Sequence, residues 1–323
     1  MILFLSNPFH RYTHKKLCRR KDLPEVCCKS YDWLLRQRTL PHGTYIFTDR
    51  ERMDSWELRI FQCYYNHINQ LGEGYRAINN PGTMLNRRAL LRKLYSRGIN
   101  PINVYAVTER VLPQQYPVFI RNENDHQKPL TPLLQTKEEL ENALLELADQ
   151  GVPEEGLLIT EYCAQALEGT LFRKLSSYKT GDQIFFYRNV HEKGWLVKYG
   201  TNNIATQAMY EEEQSMIIQN AYHEEMATIF ELAGIEYGRA DFGIVDNRVV
   251  VYEINTNPDT QPPSEIHDNA TRQENINLGW KKYCSALHQI DSPAVGKKQK
   301  APCSVPGLRR PRFPFSFLRT FRP

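Results

Sequence analysis

No apolar run in the sequence approaches the roughly 20 residues that a membrane-spanning helix requires. The phosphate-cradling pattern G-x-x-x-x-G-K-[ST] is missing, which excludes Walker-type nucleotide chemistry. None of the seven cysteines forms a CxxC. Cys27 and Cys28 are adjacent and the others scattered, so a structural zinc site has no ligand spacing, and reduced thiols in a cytoplasmic protein are the simplest reading. No Ser-His-Asp or Cys-His arrangement stands out, so chemistry that needs a protein nucleophile has no candidate. The opening Met1-Ile2-Leu3-Phe4-Leu5 is too short for a signal-peptide core and reads as a first strand. Acids are missing altogether from Gly296 to Pro323, against eight Lys or Arg; with the whole chain at +4, the remainder carries −4.

What is present is ordinary for a water-soluble α/β chain: 41% hydrophobic and 24% charged over 323 residues, enough for two domains or one large body with a lobe. The run His10 to Lys21 reads as a basic surface loop. His10 and His14 have helical spacing, but a metal pair there lacks a third ligand. Tyr45-Ile46-Phe47 is a short strand, and Asp54 with Glu57 forms a capping box for a helix to about Asn69. Gly72-Glu73-Gly74-Tyr75-Arg76-Ala77 matches a dinucleotide fingerprint, but it follows a helix and opens none, so it is set aside. Asn79-Asn80-Pro81-Gly82 is turn chemistry and marks a domain junction. Beyond it the pattern predicts a helix over 84–97, strands at 102–107 and 117–121, a helix over 137–149 with Thr136 and Glu139 as a second capping box, and a strand at 157–161. Strands at 184–188 and 195–198 read as a meander, and one long helix, about 211–233, ends at Gly234. The Pro-, Phe- and Arg-containing tail over 291–323 is read as disordered, a segment for an anionic partner.

The densest chemistry lies between Gly238 and Pro258. Two strands of a hairpin carry Arg239 and Asp241, then Glu253 and Asn255. Alternation puts each pair on one face, but whether the pairs share that face depends on the turn. A three-residue loop at Asp246-Asn247-Arg248 places Asp241 opposite Glu253, and a loop at 245–247 makes them diagonal neighbours. A two-residue Asp-Asn loop flips one strand and separates them. The other face reads Ala240, Phe242, Ile244 against Val250, Tyr252, Ile254, a core face. Facing carboxylates repel unless a cation intervenes, and hard oxygen donors suit magnesium shared with phosphates.

At these residues, Arg239-Ala240-Asp241 and Glu253-Ile254-Asn255-Thr256-Asn257-Pro258, the chain resembles the ATP-grasp superfamily, in particular D-alanine–D-alanine ligase and glutathione-synthetase-like enzymes. The likeness runs more weakly over about residues 80–290. It implies an α/β chain with an N-terminal pre-ATP-grasp domain (1–80) and an ATP-grasp domain (81–290) whose smaller lobe covers about 83–165 and whose metal-site lobe covers about 166–290. It implies Asp241, Glu253 and Asn255 as ligands of magnesium, or manganese in its place, and Arg239 as the stabiliser of the reacting acyl species. It implies Glu161, Tyr162 and Cys163 as the adenine hinge, Glu168 as a ribose acid with a surface acid equally expected, and Arg121 at the α-phosphate in place of the usual Lys. Arg173 and Arg188 are candidates for a phosphate or a substrate carboxylate. Two departures accompany it: the segment Asn122 to Pro129 has no glycine where relatives have a glycine-rich loop, and helix 84–97 offers Arg87 and Arg88, for which a solvated basic face is the better reading. The activity implied is ATP-dependent joining of a small-molecule or peptide carboxylate to an amine. An ATP-grasp kinase and a non-catalytic ATP-binding protein acting through its tail are the alternatives.

Overall fold

The computed structural model describes residues 1–201, 203–260, 262–263, 267–292 and 300–305. The first strand, Ile2–Ser6, lies inside a parallel sheet ordered Val26–Ser30, Ile2–Ser6, Gly43–Phe47, Tyr75–Ile78. Alternation divides its side chains. Leu3, Leu5, Tyr45 and Phe47 face the helix Ser55–Gln70, while Ile2, Phe4, Ile46 and Ile78 meet Tyr178, Tyr237, Tyr283 and Leu287 of the next body. The Asp54–Glu57 capping box is complete, with Glu57 N–H donating to Asp54 at 2.8 Å and Asp54 N–H to Glu57 at 3.2 Å.

A small antiparallel sheet follows, Val104–Ala106, Leu157–Glu161 and Val118–Asn122, with Leu157–Glu161 central. Helix Lys137–Asp149 covers one face through Leu140, Ala143 and Leu147. Thr136 caps that helix as expected, but Glu139 reaches back to the N–H of Gln135 rather than Thr136, so its box is only half made. The largest sheet is ordered Gln183–Lys193, Leu171–Thr180, Tyr237–Val245, Arg248–Asn255, with Ala166–Glu168 added beside Leu171–Thr180.

Several expectations are corrected. The first helix of the second body begins at Arg87, because Asn86 caps it by accepting from Ala89 N–H at 2.9 Å. The long helix is two, Gln207–Gln219 and His223–Ala233. Asn220 and Tyr222 between them are left-handed, and the Asn220 side chain is tied to Phe186 N–H (2.7 Å) and the Ile184 carbonyl (2.9 Å). Trp195–Lys198 is not a strand. The basic run is three short helical turns with Thr13, His14 and Leu17 buried, not a loop. Helix Ala270–Ile290, not anticipated from sequence, packs Trp280, Tyr283 and Leu287 between the N-terminal and large sheets. In the tail, Lys300–Pro302 pairs with Thr39–Pro41, and Cys303 and Val305 enter the N-terminal core, so residues 300–305 are ordered; 306–323 lie outside the described residues. Among the described residues no helix is long and apolar enough to cross a membrane.

The junction expected at Asn79 to Gly82 is a clamp. Buried Asn79, left-handed at φ 65°, donates to the carbonyls of Phe47 (3.0 Å) and Tyr237 (2.7 Å). Its own side-chain oxygen accepts from Glu236 and Tyr237 N–H, both at 2.8 Å, fixing the N-terminal sheet to the hairpin.

Candidate functional site

The hairpin turns through Asp246 and Asn247 alone, both at positive φ (47° and 62°), and Val245 pairs with Arg248. This is the two-residue loop expected to separate the carboxylates. They face each other nonetheless, Asp241 paired with Glu253, because the register slips by one between Phe242–Val251 and Asp241–Glu253. Tyr252 is the extra residue of a β-bulge, and it restores the alternation that the turn inverted. The bulge also moves Tyr252 off the core face: Val249, Val251 and Ile254 pack with Ala240 and Phe242, while Tyr252 lines the cleft. Its ring lies over Gly243, where a Cβ would stand 2.1 Å from the Tyr252 hydroxyl. The edge strand is held at the bulge by buried Asn100, which accepts from Val251 N–H (3.0 Å) and donates to its carbonyl (2.8 Å).

Each carboxylate is surrounded by cations. Arg239 grips Asp241 with two bonds, Nε at 2.8 Å and Nη2 at 3.2 Å, and Lys174 Nζ stands 3.1 Å away. Arg87 is hydrogen-bonded to Glu253, with His126 Nδ1 at 3.7 Å and Arg121 Nη2 at 3.8 Å. Burial alone would raise both carboxyls, but Arg239 and Lys174 hold Asp241 below its ordinary value, and Arg87, His126 and Arg121 hold Glu253 well below. The same burial would discharge Arg239, and Asp241 keeps it charged. Arg121 goes the other way. Burial and neighbouring Arg87 bring it down to about 10, and its buried Nε has no partner among the described residues. An under-neutralised buried guanidinium beside a cavity is suited to a phosphate.

Arg87 corrects the surface reading of its helix. It is buried, and Nη1 donates to the carbonyls of Glu123 and Asp125, both at 2.9 Å, so it pins the glycine-free segment over the cleft. His126, Gln127 and Pro129 of that segment line the cavity. Arg88, one residue on, is near Glu123 at the surface.

The cleft holds about 980 Å³, part of it open to solvent. Away from the carboxylates its walls are Phe119, Tyr162, Phe172, Trp195 and Tyr252, with Trp195 packed at 5.2 Å on Phe119 and 5.4 Å on Tyr162. Glu161, Tyr162 and Cys163 line it, and the Glu161 carboxylate is taken up by four donors: Tyr105 Oη (2.9 Å) and the N–H groups of Asn103 (2.8 Å), Gln114 (2.8 Å) and Gln115 (3.1 Å). The carboxylate anchors the loops at residues 103–115. Glu168 is exposed on Ala166–Glu168 and outside the lining. Arg173 lines the cleft edge, but its guanidinium is committed to Glu212 at 2.7 Å. Arg188 stacks over Tyr187 at 5.0 Å, outside the lining; across Ser176 it shares the sheet face of Asp241. Sequence reasoning missed Lys174, Trp195 and Tyr252. For Lys174 the signal was parity: it shares a face with Ser176, the partner of Asp241, and Arg173 does not.

Among the described residues no three His, Cys, Asp or Glu side chains stand together as a metal cage. Asp241 and Glu253 are nevertheless two ionised, opposed carboxylates, and Asn255 pairs with Arg239 one step along. Asn255 Oδ1 accepts from Asn257 N–H at 2.8 Å, which leaves a second lone pair. That donor set fits a hard divalent cation completing its shell with phosphate oxygens.

The architecture is that of an α/β protein built on a parallel N-terminal sheet, a small antiparallel sheet and a large antiparallel sheet. Among solved structures it is similar to D-alanine–D-alanine ligase from Coxiella burnetii, with a TM-score of 0.51 at 12% identity over 90% of this chain and 94% of that one. A D-alanine–D-alanine ligase from Bacillus anthracis complexed with ATP aligns at a TM-score of 0.49 and 11% identity over 90% and 97% of the two chains; the fold assignment rests on the first of these. No protein-family model matches the chain, and no curated protein matches it by sequence.

Proposed function

We propose that the protein is an ATP-dependent, ADP-forming ligase that joins a carboxylate to an amine. The observation that carries this is the bulge-restored opposition of Asp241 and Glu253, ringed by Arg239, Lys174, Arg87, Arg121 and His126 at one end of a cleft of about 980 Å³. Lys174, Arg121 and Arg87 bind and orient the phosphates, and the aromatic end takes the base. Asp241, Glu253 and Asn255 would hold magnesium, or manganese, which when bound neutralises phosphate charge. The substrate carboxylate attacks the γ-phosphorus and ADP leaves; the amine then attacks the acyl carbon, phosphate leaves and the amine gives up a proton. Arg239, held rigid by Asp241, stabilises the oxyanion that develops in the second step. Arg188, outside the lining but on the same sheet face beyond Ser176, is a cation that a substrate carboxylate extending past the cleft would meet. The working compartment proposed is the cytoplasm, where ATP is abundant.

The test is ADP release in the presence of pooled carboxylic acids, amino acids and peptides, with hydroxylamine as the trapping amine. A hydroxamate formed only with ATP supports ligation, whereas a stable phosphorylated product makes the protein a kinase. Asp241→Asn and Glu253→Gln are each expected to lower turnover by about 100- to 1,000-fold, the scale of a lost electrostatic contact in a transition state. Each also leaves buried cations under-compensated, which costs about 3–5 kcal/mol at the upper end. Thermal melts of both variants therefore accompany the assay, and near-wild-type turnover in either would sink the assignment.

A further inference from the structure

Two cysteines that spacing leaves unrelated meet beside the N-terminal sheet. Cys18 sits in the helical turn Leu17–Arg19 and Cys28 in the strand Val26–Ser30, with their Sγ atoms 3.1 Å apart. Cys18 is exposed, so a small oxidant reaches it directly. Cys27 does not compete: alternation turns it to the other face, where it packs against the Leu3–Tyr45 core. We propose that Cys18 and Cys28 form a modification site, a dithiol that a peroxide converts reversibly to a disulfide.

The chemistry balances with hydrogen peroxide as oxidant. The Cys18 thiolate attacks one peroxide oxygen, an S–O bond forms, the O–O bond breaks, and hydroxide leaves to become water. The Cys28 thiol then attacks that sulfur, the S–S bond forms, the S–O bond breaks, and the departing hydroxide takes the Cys28 proton and leaves as a second water. Two thiols are oxidised and one peroxide is reduced. The geometry assigns the roles, since Cys18 is the open sulfur and Cys28 lies within the strand behind it. Electrostatics agree: the hydrogen bond from Cys28, with Lys29 nearby, holds the Cys18 thiol down at about 7, while Cys28 is pushed up by the same contact and by burial.

The bond would fix a segment that reaches the candidate site. Cys18 Sγ lies 3.8 Å from the carbonyl of His14 in the preceding turn. His14 stacks on Phe4 at 4.0 Å and is bonded to the Tyr237 hydroxyl at 3.1 Å, and Thr13 donates to Asn257 at 2.9 Å, two residues beyond Asn255. Oxidation would therefore staple the Pro8–Arg19 turns to the N-terminal sheet and hold Thr13 against the end of the hairpin.

The experiment treats the whole purified chain with stoichiometric hydrogen peroxide and then alkylates it, denatured, with N-ethylmaleimide. Intact mass should show two fewer adducts than the seven of the reduced chain, restored by dithiothreitol, with a tryptic link from the Cys18 peptide to the peptide 22–29 that fragmentation between the adjacent cysteines assigns to Cys28. The oxidised form should melt at a higher temperature than the reduced form. Cys18→Ser, at an exposed position, should abolish the loss of adducts, and Cys28→Ser should leave Cys18 as a sulfenic acid captured by dimedone. Retention of all seven adducts in the wild type, or a link through Cys27 or Cys284 instead, overturns the proposal.

Discussion

At its hairpin end the cleft presents two carboxylates among Arg87, Arg121, His126 and Lys174, with Arg239 bonded to Asp241 from outside the lining; at its far end it presents Phe119, Tyr162, Trp195 and Tyr252. The charged end is over-determined. Every acid there has at least two cations, and those cations come from four separate elements, so each element fixes the others. The aromatic end is held mainly by ring contacts at 5.2–5.4 Å, and its most obvious polar group, Glu161, is turned to the loops. A ligand with a charged and a flat apolar part would thus take position from one end and contact area from the other. The charged end should govern turnover and the aromatic end affinity, and each substitution below can break that division.

Short of removing the carboxylates themselves, the largest effect is expected at Arg121, whose Nε has no partner among the described residues and whose pKa is depressed. Arg121→Met removes a charge-assisted contact of about 1.5–3 kcal/mol, so kcat/KM for ATP should fall about 10- to 100-fold. Arg121→Lys keeps the charge but loses the planar fork and should recover only part of it. Steady-state kinetics at saturating acceptor decide. If Arg121→Met leaves kcat/KM unchanged, the phosphates lie elsewhere and the comparison of the two ends fails.

The different legibility of the two ends follows from how each is encoded. Asp241, Glu253 and Arg239 could be read because strand alternation is local and charges on one face are conspicuous. The bulge that brings the acids together could not, since Tyr252 carries no compositional mark of being unpaired and the Asp246-Asn247 turn alone argued for the opposite face. The role of Glu161 was hidden because its four donors belong to residues 103–115, distant in sequence and joined only by tertiary packing. Arg173 was named and its neighbour Lys174 was not, because alternation alone does not say which face meets the acids; pairing of Ser176 with Asp241 was needed to choose Lys174. Helix Ala270–Ile290 escaped because its buried face includes Asn275 and Gly279. Asn275 is bonded to the Tyr210 carbonyl and Glu213, and a Cβ on Gly279 would stand 2.8 Å from the Tyr187 carbonyl, so polar and small residues occupy positions where a periodic reading looks for Leu or Ile.

At the aromatic end the expected effect is smaller and of another kind. Trp195→Ala removes a ring that meets both Phe119 and Tyr162. Aromatic contacts of this sort are worth about 0.5–1.5 kcal/mol beyond the area they bury, so KM for ATP should rise about 3- to 10-fold while kcat holds. A fall in kcat at unchanged KM would mean that Trp195 shapes the reacting end and that affinity and turnover are not divided between the two ends.

The smallest expected effect separates ring from hydroxyl. Tyr162 Oη donates to the Trp195 carbonyl at 3.4 Å, a long hydrogen bond, and burial raises this phenol above its ordinary value, so it stays neutral. Tyr162→Phe keeps the ring packed on Trp195 and deletes only that contact, worth about 0.5 kcal/mol or less at such a length. KM for ATP should then change by less than about 2-fold, well below the effect of Trp195→Ala. A shift as large as that of the tryptophan variant would show that the hydroxyl, through Trp195, sets the geometry of the wall, and the aromatic end would then work by placement, as the charged end does.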